Sequence, residues 1–267
     1  MSDTRIILLG TGSSGGVPRV GGDWGACDPE EPKNRRRRCC ALVQKRGENE
    51  TLTNILIDTS PDLREQLLDA QVTHLDAVIY THDHADQSHG IDDVRALAIR
   101  QRSAIPVYFD PYARGSLLTR FEYCFTGAKG YPPILSPHNT VHEGQAFTVP
   151  GQGGPVEFFP IGMIHGPIPC MGYRIGNVAY CNDVNELTEA ALRQLQDLDV
   201  LIIDALRYAP HPSHAHLALA LEWIDALKPR RAVLTNLHVD MDYQTLRQTL
   251  PATIEPGYDG MEIRIDR

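Results

Sequence analysis

Residues 77–90 have the sequence AVIYTHDHADQSHG, in which a short apolar run leads directly into a histidine-rich turn. The apolar run predicts a buried β-strand over residues 77–80. The turn carries an H-x-H-x-D pattern, formed by His82, His84 and Asp86, which can point two imidazoles and a carboxylate at one spot. These ligand types suit Zn²⁺, Mn²⁺ or Fe²⁺. The alternative is a polar turn with solvated histidines, and partners elsewhere in the chain favour the metal site.

Two predicted hairpins bring further candidate ligands. The range 147–161 resembles a hairpin and leads to His165, and the range 172–180 resembles a second hairpin that leads to Asp183. Histidine is the commonest metal ligand and the usual acid or base near neutral pH. His165, at the end of a predicted strand, is therefore a candidate partner of the H-x-H-x-D turn.

The last third of the chain adds three more histidines at element ends. A buried strand is predicted over residues 232–235, and His238 follows it. His211 and His214 stand before a predicted amphipathic helix, and Ser213 is the expected N-cap of that helix. The backbone N–H groups at such a helix start also favour a phosphate.

The order of predicted elements indicates an α/β protein. Both halves of the chain begin with strands and continue with helices and strands in alternation, and no linker or low-complexity stretch separates them. We therefore expect a single domain over residues 1–267, with two sheets packed face to face and helices outside. The predicted strands cover residues 5–9, 39–44, 53–57, 77–80, 105–109, 200–203 and 232–235 besides the two hairpins, and helices are expected after Asp58, over residues 187–198 and after Ser213.

Composition excludes several classes of protein. Of the 267 residues, 42% are hydrophobic and 22% charged, which argues against a disordered, collagenous or coiled-coil chain. No stretch approaches the ~18 apolar residues of a membrane span, and no secretory signal is visible. We therefore expect a cytoplasmic protein whose six cysteines are free thiols. A net charge of −9 argues against binding to long nucleic acid, and a run of only four arginines at 35–38 does not offset it.

On these motifs the chain resembles the metallo-β-lactamase superfamily, whose signature is H-x-H-x-D-H followed by a later His, Asp and His. It is most similar to the phosphoribosyl 1,2-cyclic phosphate phosphodiesterases of the carbon–phosphorus lyase pathway. Three segments carry this closer resemblance: LGTGSSGGVP at 9–18, HPSH at 211–214 and GYDGMEI at 257–263. The resemblance spans nearly the whole chain, is weakest over residues 111–135, and implies an αββα sandwich with two mixed sheets.

The resemblance also implies a metal-ligand set. The first ion would be held by three histidines, with Asp183 bridging to a second ion that Asp86 would hold. The first-ion histidines are His82, His84 and His165. A hydroxide on the metal would be the nucleophile at neutral pH.

Two positions depart from the family pattern. Gln87 and Asn236 stand where the family has histidines of the second metal. Amide oxygens are weaker donors to Zn²⁺ than imidazole. His238 lies two residues downstream of one gap and could reach back, whereas His89 is expected to point away. We therefore expect Zn²⁺ or Mn²⁺ at one tight site and at a weaker second site.

Catalytic roles are expected for His214 and Asp86. His214 is the candidate general acid, and with His211 it is a candidate phosphate-binding residue. A surface role is an equal alternative for His211. Asp58 ends a buried strand, where it either orients a ligand imidazole or caps a helix. The Gly-rich loop 10–16 lacks the ending of a P-loop, and close backbone approach to the metal site is the favoured interpretation.

The leading functional prediction is a metal-dependent phosphodiesterase acting on a small cyclic or nucleotide-like phosphate ester. Three alternatives stay open: a tRNA 3′-processing endonuclease, a thioester or lactone hydrolase, and a nucleotide-binding relative without turnover. A flavo-diiron role is disfavoured, because that group has a carboxylate where His84 stands. The expected partner is a small phosphate ester or nucleotide rather than a membrane, and a homodimer stays open.

Overall fold

The computed structural model describes residues 3–127 and 130–265. Their strands are β1 (Asp3–Gly10), β2 (Cys40–Arg46), β3 (Leu52–Ile57), β4 (Ala77–Ile79), β5 (Ile105–Phe109), β6 (Leu135–Thr140), β7 (Phe147–Val149), β8 (Val156–His165), β9 (Ile168–Ile175), β10 (Val178–Cys181), β11 (Val200–Asp204), β12 (Arg231–Thr235), β13 (Ile254–Pro256) and β14 (Met261–Ile265). Their α-helices are α1 (Leu63–Asp69), α2 (Ala85–Ser88), α3 (Arg95–Gln101), α4 (Pro111–Arg120), α5 (Glu122–Thr126), α6 (Glu189–Gln194), α7 (Leu217–Leu227) and α8 (Tyr243–Thr249).

The strands form two mixed sheets with the same internal plan. The first sheet has the order β14-β1-β2-β3-β4-β5-β6, and the second has the order β13-β12-β11-β10-β9-β8-β7. In the first, β14 to β3 pair antiparallel and β3 to β6 pair parallel. In the second, β7 to β10 pair antiparallel and β10 to β13 pair parallel. The shared plan of the two halves is therefore present in the structure.

The main core lies between the two sheets. Ile55 on the first sheet, and Phe158 and Ile202 on the second, are fully buried there. The hydroxyl of Tyr173 donates to the carbonyl of Tyr80 across the two layers at 2.7 Å. Helices α1, α3, α4 and α5 cover the outer face of the first sheet, and α6, α7 and α8 cover that of the second. The predicted sandwich with helices outside is confirmed.

The central strands are apolar along their whole length because both of their faces are covered. All five residues of β11 are buried, as expected for a parallel strand between two layers. The hairpin between β9 and β10 turns at Gly176, whose φ of 56° fits the tight turn predicted there. The parallel strands of both sheets run towards one edge, where polar residues take over from the apolar runs.

Helix boundaries differ from the sequence prediction at three places. The helix expected from Ser213 begins at Leu217, with His216 at its N-cap. The helix expected after Asp58 begins at Leu63, because Asp58 itself has a φ of 64° and turns the chain. The helix expected over residues 187–198 is shortened to α6.

Several elements had no sequence prediction. These are α4 and α5 within the mixed segment 111–135, and β6, α8, β13 and β14. The single domain over 1–267 stays a prediction. No helix within the described residues combines the length and apolar character that crossing a membrane requires.

Candidate metal centre and active site

The site is built at the carboxyl ends of the parallel strands. Asp58 follows β3, Asp183 follows β10, Asp204 ends β11 and Asn236 follows β12. Asp58, Asp183 and Asn236 all have positive φ, between 53° and 64°. Asp and Asn adopt this left-handed conformation more readily than other non-glycine residues. Such backbone conformations collect at functional sites, and here they turn the chain out of each strand.

Three histidines converge at this edge and form what we term the three-histidine group: His82, His84 and His165. Their ring centroids are 4.7–5.1 Å apart, and one ligand atom of each lies within 4.8 Å of the others. Nδ1 of His84 is 3.2 Å from Nε2 of His165. Nδ1 of His165 donates to the carbonyl of Ser213 at 2.6 Å, which leaves Nε2 as the lone-pair atom.

The three-histidine group fits a divalent metal ion. Nε2 of His82 is buried without a hydrogen-bond partner among the described residues, and it lies 3.4 Å from Oδ2 of Asp183. Burial lowers the pKa of His82 well below its usual value, and burial lowers the pKa of His165 to about 4. Both rings are therefore neutral with lone pairs available. Three imidazole nitrogens and one carboxylate oxygen are ligands that Zn²⁺ and related ions accept.

A second cluster, the carboxylate group, adjoins the first and consists of Asp183, Asp204 and His214. Nδ1 of His214 is 2.9 Å from Oδ2 of Asp204 and 3.5 Å from Oδ1 of Asp183. Burial lowers the pKa of His214, but the hydrogen bond and charge of Asp204 outweigh burial and raise the pKa to about 9. The ring of His214 lies 4.6 Å from that of His165 and 5.0 Å from that of His211.

The two amides that replace family histidines bind Asp183 directly. Nε2 of Gln87 donates to Oδ2 of Asp183 at 2.9 Å and approaches Oδ2 of Asp86 at 3.3 Å. Nδ2 of Asn236 donates to Oδ1 of Asp183 at 2.7 Å and lies 3.1 Å from Oδ1 of Asp204. Both oxygens of Asp183 therefore already accept a hydrogen bond. Oε1 of Gln87 is buried without a partner among the described residues.

The structure does not bring His238 to the metal centre. Its Nδ1 lies 2.8 Å from Oδ1 of Asp240, and its Nε2 contacts the guanidinium of Arg19. This corrects the expectation that His238 reaches back to replace a lost ligand. The left-handed backbone at Asn236, with a φ of 61°, breaks the extended geometry that this expectation assumed. His89 is likewise directed elsewhere, as expected, with Nε2 2.8 Å from Nη2 of Arg120.

Asp58 acts on the centre through Thr81. Its two carboxylate oxygens accept from the backbone N–H and the hydroxyl of Thr81, each at 2.8 Å. The Thr81 hydroxyl lies 3.0 Å from Nδ1 of His82. Burial raises the pKa of Asp58 to about 8. The helix-cap alternative for Asp58 is wrong, because the residue that precedes α1 is Asp62.

Sequence reasoning missed Asp204, Thr81 and the carbonyl of Ser213. The sequence did contain a signal for Asp204, because this acidic residue directly follows a wholly apolar run. Asp58 and Asp183 follow largely apolar strands in a similar way. The carbonyl of Ser213 had no such signal, because every residue has a backbone carbonyl. The Gly-rich loop was also read incorrectly: a Cβ on Gly10 would lie 2.0 Å from the carbonyl oxygen of Arg38, so the glycine admits that backbone rather than the metal site.

The family model described as the Beta-lactamase superfamily domain matches residues 53–236. A solved structure described as a new diphosphatase from the PhnP family is 33% identical, with a TM-score of 0.87 over 99% of this chain and 98% of its own. Zinc-bound PqqB from Methylobacterium extorquens is 16% identical, with a TM-score of 0.75 over 97% and 99% of the two chains, and shows the fold alone.

A curated relative from Porphyromonas gingivalis (strain ATCC BAA-308 / W83), named octanoyltransferase, is 34% identical over 98% of this chain. The match covers 52% of that protein, so this chain spans about half the length of the relative.

Proposed function

We propose that this protein hydrolyses small phosphate diesters. The chain belongs to the metallo-β-lactamase superfamily and is therefore a metal-dependent hydrolase. The observation that carries the proposal is the contact between the two clusters. A metal-ready set of imidazoles lies beside His214, an imidazole that Asp204 holds at 2.9 Å. Ester hydrolysis requires both an activated nucleophile and a proton for the leaving oxygen.

The proposed ligands of the tight ion are His82, His84 and His165, completed by Asp183. A divalent ion bound there, Zn²⁺ or Mn²⁺, would lower the pKa of a water molecule to about 7 and so supply a nucleophile at neutral pH. The carbonyl of Ser213 fixes the tautomer of His165.

We propose that a second ion binds weakly, with Asp86 and Asp183 as its ligands. The amides of Gln87 and Asn236 donate hydrogen bonds to Asp183 at 2.9 and 2.7 Å, where a second cation would draw on the same oxygens. A second ion would compete with these hydrogen bonds for the Asp183 oxygens. The neutral amide oxygens of Gln87 and Asn236 are weaker metal ligands than imidazoles at these positions.

His214 is the proposed general acid. Its Nδ1 is held by Asp204, which leaves Nε2 as the ring atom that gives the proton to the leaving oxygen. Asp204 is a positioning residue that orients the ring and favours its charged form. His211, with its ring 5.0 Å away, is proposed to contact the phosphate beside it.

Hydrolysis of diphosphate esters is a second candidate. The observation that favours it is the 33% identical relative, which is described as a diphosphatase and aligns over nearly its whole length. The two reactions attack the same kind of phosphorus centre, and they differ in whether the leaving oxygen belongs to an alcohol or to a second phosphate.

The test combines metal content with substrate comparison. The protein is stripped with a chelator and reloaded with Zn²⁺ or Mn²⁺, and the ions per chain are counted. Turnover of bis(p-nitrophenyl) phosphate, a diphosphate diester and a thioester is then measured on the stripped and reloaded samples. We expect turnover of the phosphate esters only after reloading. Thioester turnover without phosphate-ester turnover would contradict the proposal, as would equal rates in stripped and reloaded protein.

A further inference from the structure

Two of the histidines in the three-histidine group have rings that a hydrogen bond holds from outside the group. The hydroxyl of Thr81 lies 3.0 Å from Nδ1 of His82, and the carbonyl of Ser213 accepts from Nδ1 of His165. The ring of His84 is different, because its polar contact among the described residues is with His165 alone. His84 is also exposed. The position of this ring therefore depends on the backbone that carries it.

Arg120 contacts that backbone from another element of the fold. It is the last residue of α4, and its Nη1 donates to the carbonyl of Asp83, the residue between His82 and His84. Its Nη2 lies 2.8 Å from Nε2 of His89, the residue that directly follows α2. We term these two contacts the Arg120 bridge. One guanidinium thus contacts both the H-x-H-x-D turn and the end of the short helix that continues it.

The donors and acceptors of the Arg120 bridge match each other. Arginine has five N–H donors in a planar fork and no acceptor, so Nε2 of His89 accepts and Nδ1 of that ring carries the proton. The ring centroid of Phe121 lies 5.3 Å from the guanidinium carbon and 5.8 Å from the ring centroid of His89. The carboxylate of Asp83, 3.6 Å from Nη1, adds a partly exposed ion pair of small free energy. The directional contacts are therefore those with the carbonyl and the imidazole.

Helix α4, which carries the Arg120 bridge, is anchored to the first sheet. Asp110 caps its start and accepts from the backbone N–H groups of Ala113 at 3.0 Å and Tyr112 at 3.1 Å. Ala113 and Leu117 are fully buried in the core on the outer face of that sheet. Close-packed interiors have low compressibility and transmit displacement. The bridge therefore ties the H-x-H-x-D turn to the scaffold of the first sheet.

We propose that Arg120 is a positioning residue, which holds the backbone at His84 where the ring can bind the tight metal ion. The inference rests on the metal site of the proposed function and adds a residue outside its ligand set. Loss of the bridge leaves all the ligands present but frees the peptide that orients one of them. Partners behind metal ligands are worth roughly 10–100-fold in metal affinity. Removal of Arg120 should therefore weaken metal binding and leave the fold intact.

The test measures the Zn²⁺ affinity of the stripped protein by competition with a chromophoric chelator, alongside thermal unfolding of the metal-free protein. Arg120→Gln should lower the affinity by at least about 10-fold, while the metal-free unfolding temperature stays near that of wild type. His89→Ala removes one contact of the bridge, so it should lower the affinity less and add no further loss to Arg120→Gln. Arg114→Gln is the matched control and should keep the wild-type affinity, because this arginine of α4 contacts the carbonyl of His138 at 3.4 Å instead.

Turnover at saturating Zn²⁺ separates positioning from substrate binding. Arg120→Gln should then regain the wild-type KM for bis(p-nitrophenyl) phosphate, because its metal ligands are intact. A KM that stays raised at full occupancy would assign Arg120 to the substrate and overturn the inference, as would equal loss of affinity in Arg114→Gln. Unchanged Zn²⁺ affinity in Arg120→Gln, or in His89→Ala should the arginine variant not fold, would also overturn it.

The Zn²⁺ measurements also separate this inference from the catalytic proposal. If the affinities change as expected but no phosphate ester is hydrolysed, the Arg120 bridge stands and the phosphodiesterase proposal fails. Absence of tight Zn²⁺ binding in wild type would overturn the proposed metal site and this inference with it.

Discussion

In the three-histidine group a buried ligand nitrogen has no hydrogen-bond partner among the described residues, whereas in the neighbouring carboxylate group both oxygens of Asp183 already accept hydrogen bonds. Nε2 of His82 is buried without a hydrogen-bond partner among the described residues. Asp183, only 3.4 Å away, accepts amide hydrogen bonds on both oxygens. The two clusters share one edge of the fold but differ in what they still need.

The two clusters differ in how much free energy each gains from a bound cation. A buried acceptor without a donor costs about 1–3 kcal/mol, and a bound ion removes that cost at the three-histidine group. In the carboxylate group, the imidazole of His214 and the amides of Gln87 and Asn236 already supply donors. We therefore expect metal binding to stabilise the first cluster strongly and the second weakly.

The largest effect is expected from His165→Ala. Loss of one of the three imidazoles should lower metal affinity by more than ~100-fold, since even residues behind the ligands are worth 10–100-fold. Wild type should gain about 2.7 kcal/mol of unfolding free energy at a metal concentration 100 times Kd, and the variant should gain almost none. Metal counting and thermal unfolding with and without ion measure this. His142→Ala, at an exposed histidine, is the control; equal metal content in His165→Ala and wild type would refute the ligand assignment.

His214→Ala tests the carboxylate group through its proton. Loss of the general acid should lower kcat by ~10²–10⁴-fold on an ester with a poor leaving group. The loss should be much smaller on a p-nitrophenyl ester, because p-nitrophenolate leaves without protonation. Steady-state rates on both esters give the comparison, and His216→Ala is the control at the N-cap of α7. Equal losses on the two esters would assign His214 to phosphate binding instead.

The smallest effect is expected from giving the second cluster the ligands it lacks. Gln87→His with Asn236→His replaces two hydrogen-bond donors to Asp183 by imidazoles, and should raise the metal count from one tight ion towards two per chain. Calorimetric titration of the stripped protein measures both sites, with thermal unfolding as the check on folding. His238→Ala should leave the count unchanged, because that ring binds Asp240 and Arg19. Two equally tight ions in wild type would contradict the comparison.

Local features of the sequence were sufficient for the central strands and for two of the three histidines of the first cluster. Apolar runs predicted β4, β11 and β12, because a strand buried on both faces must be apolar along its whole length. The H-x-H-x-D turn follows such a strand and so identified His82 and His84. These features depend on residues that are close together along the chain, so the sequence alone is enough to predict them.

The sequence did not predict the boundaries of the elements at the carboxyl ends of the parallel strands as well. Ser213 was expected to cap a helix, yet α7 begins four residues later, and the Ser213 carbonyl accepts from His165 instead. The capping preference of serine is a local tendency worth about 1 kcal/mol. A contact between residues 48 positions apart overrides it.

Residue type and spacing were enough to predict a metal-binding turn on a strand-rich α/β scaffold, because local chain neighbours fix those features. Tertiary packing, in contrast, sets the contact of Asp204 with His214, the contacts of Gln87 and Asn236 with Asp183, and the direction of His238 towards Arg19. Each of these contacts joins residues from different elements. Their partners are chosen by how the two sheets pack and where each strand ends, and that choice is made by the buried core as a whole.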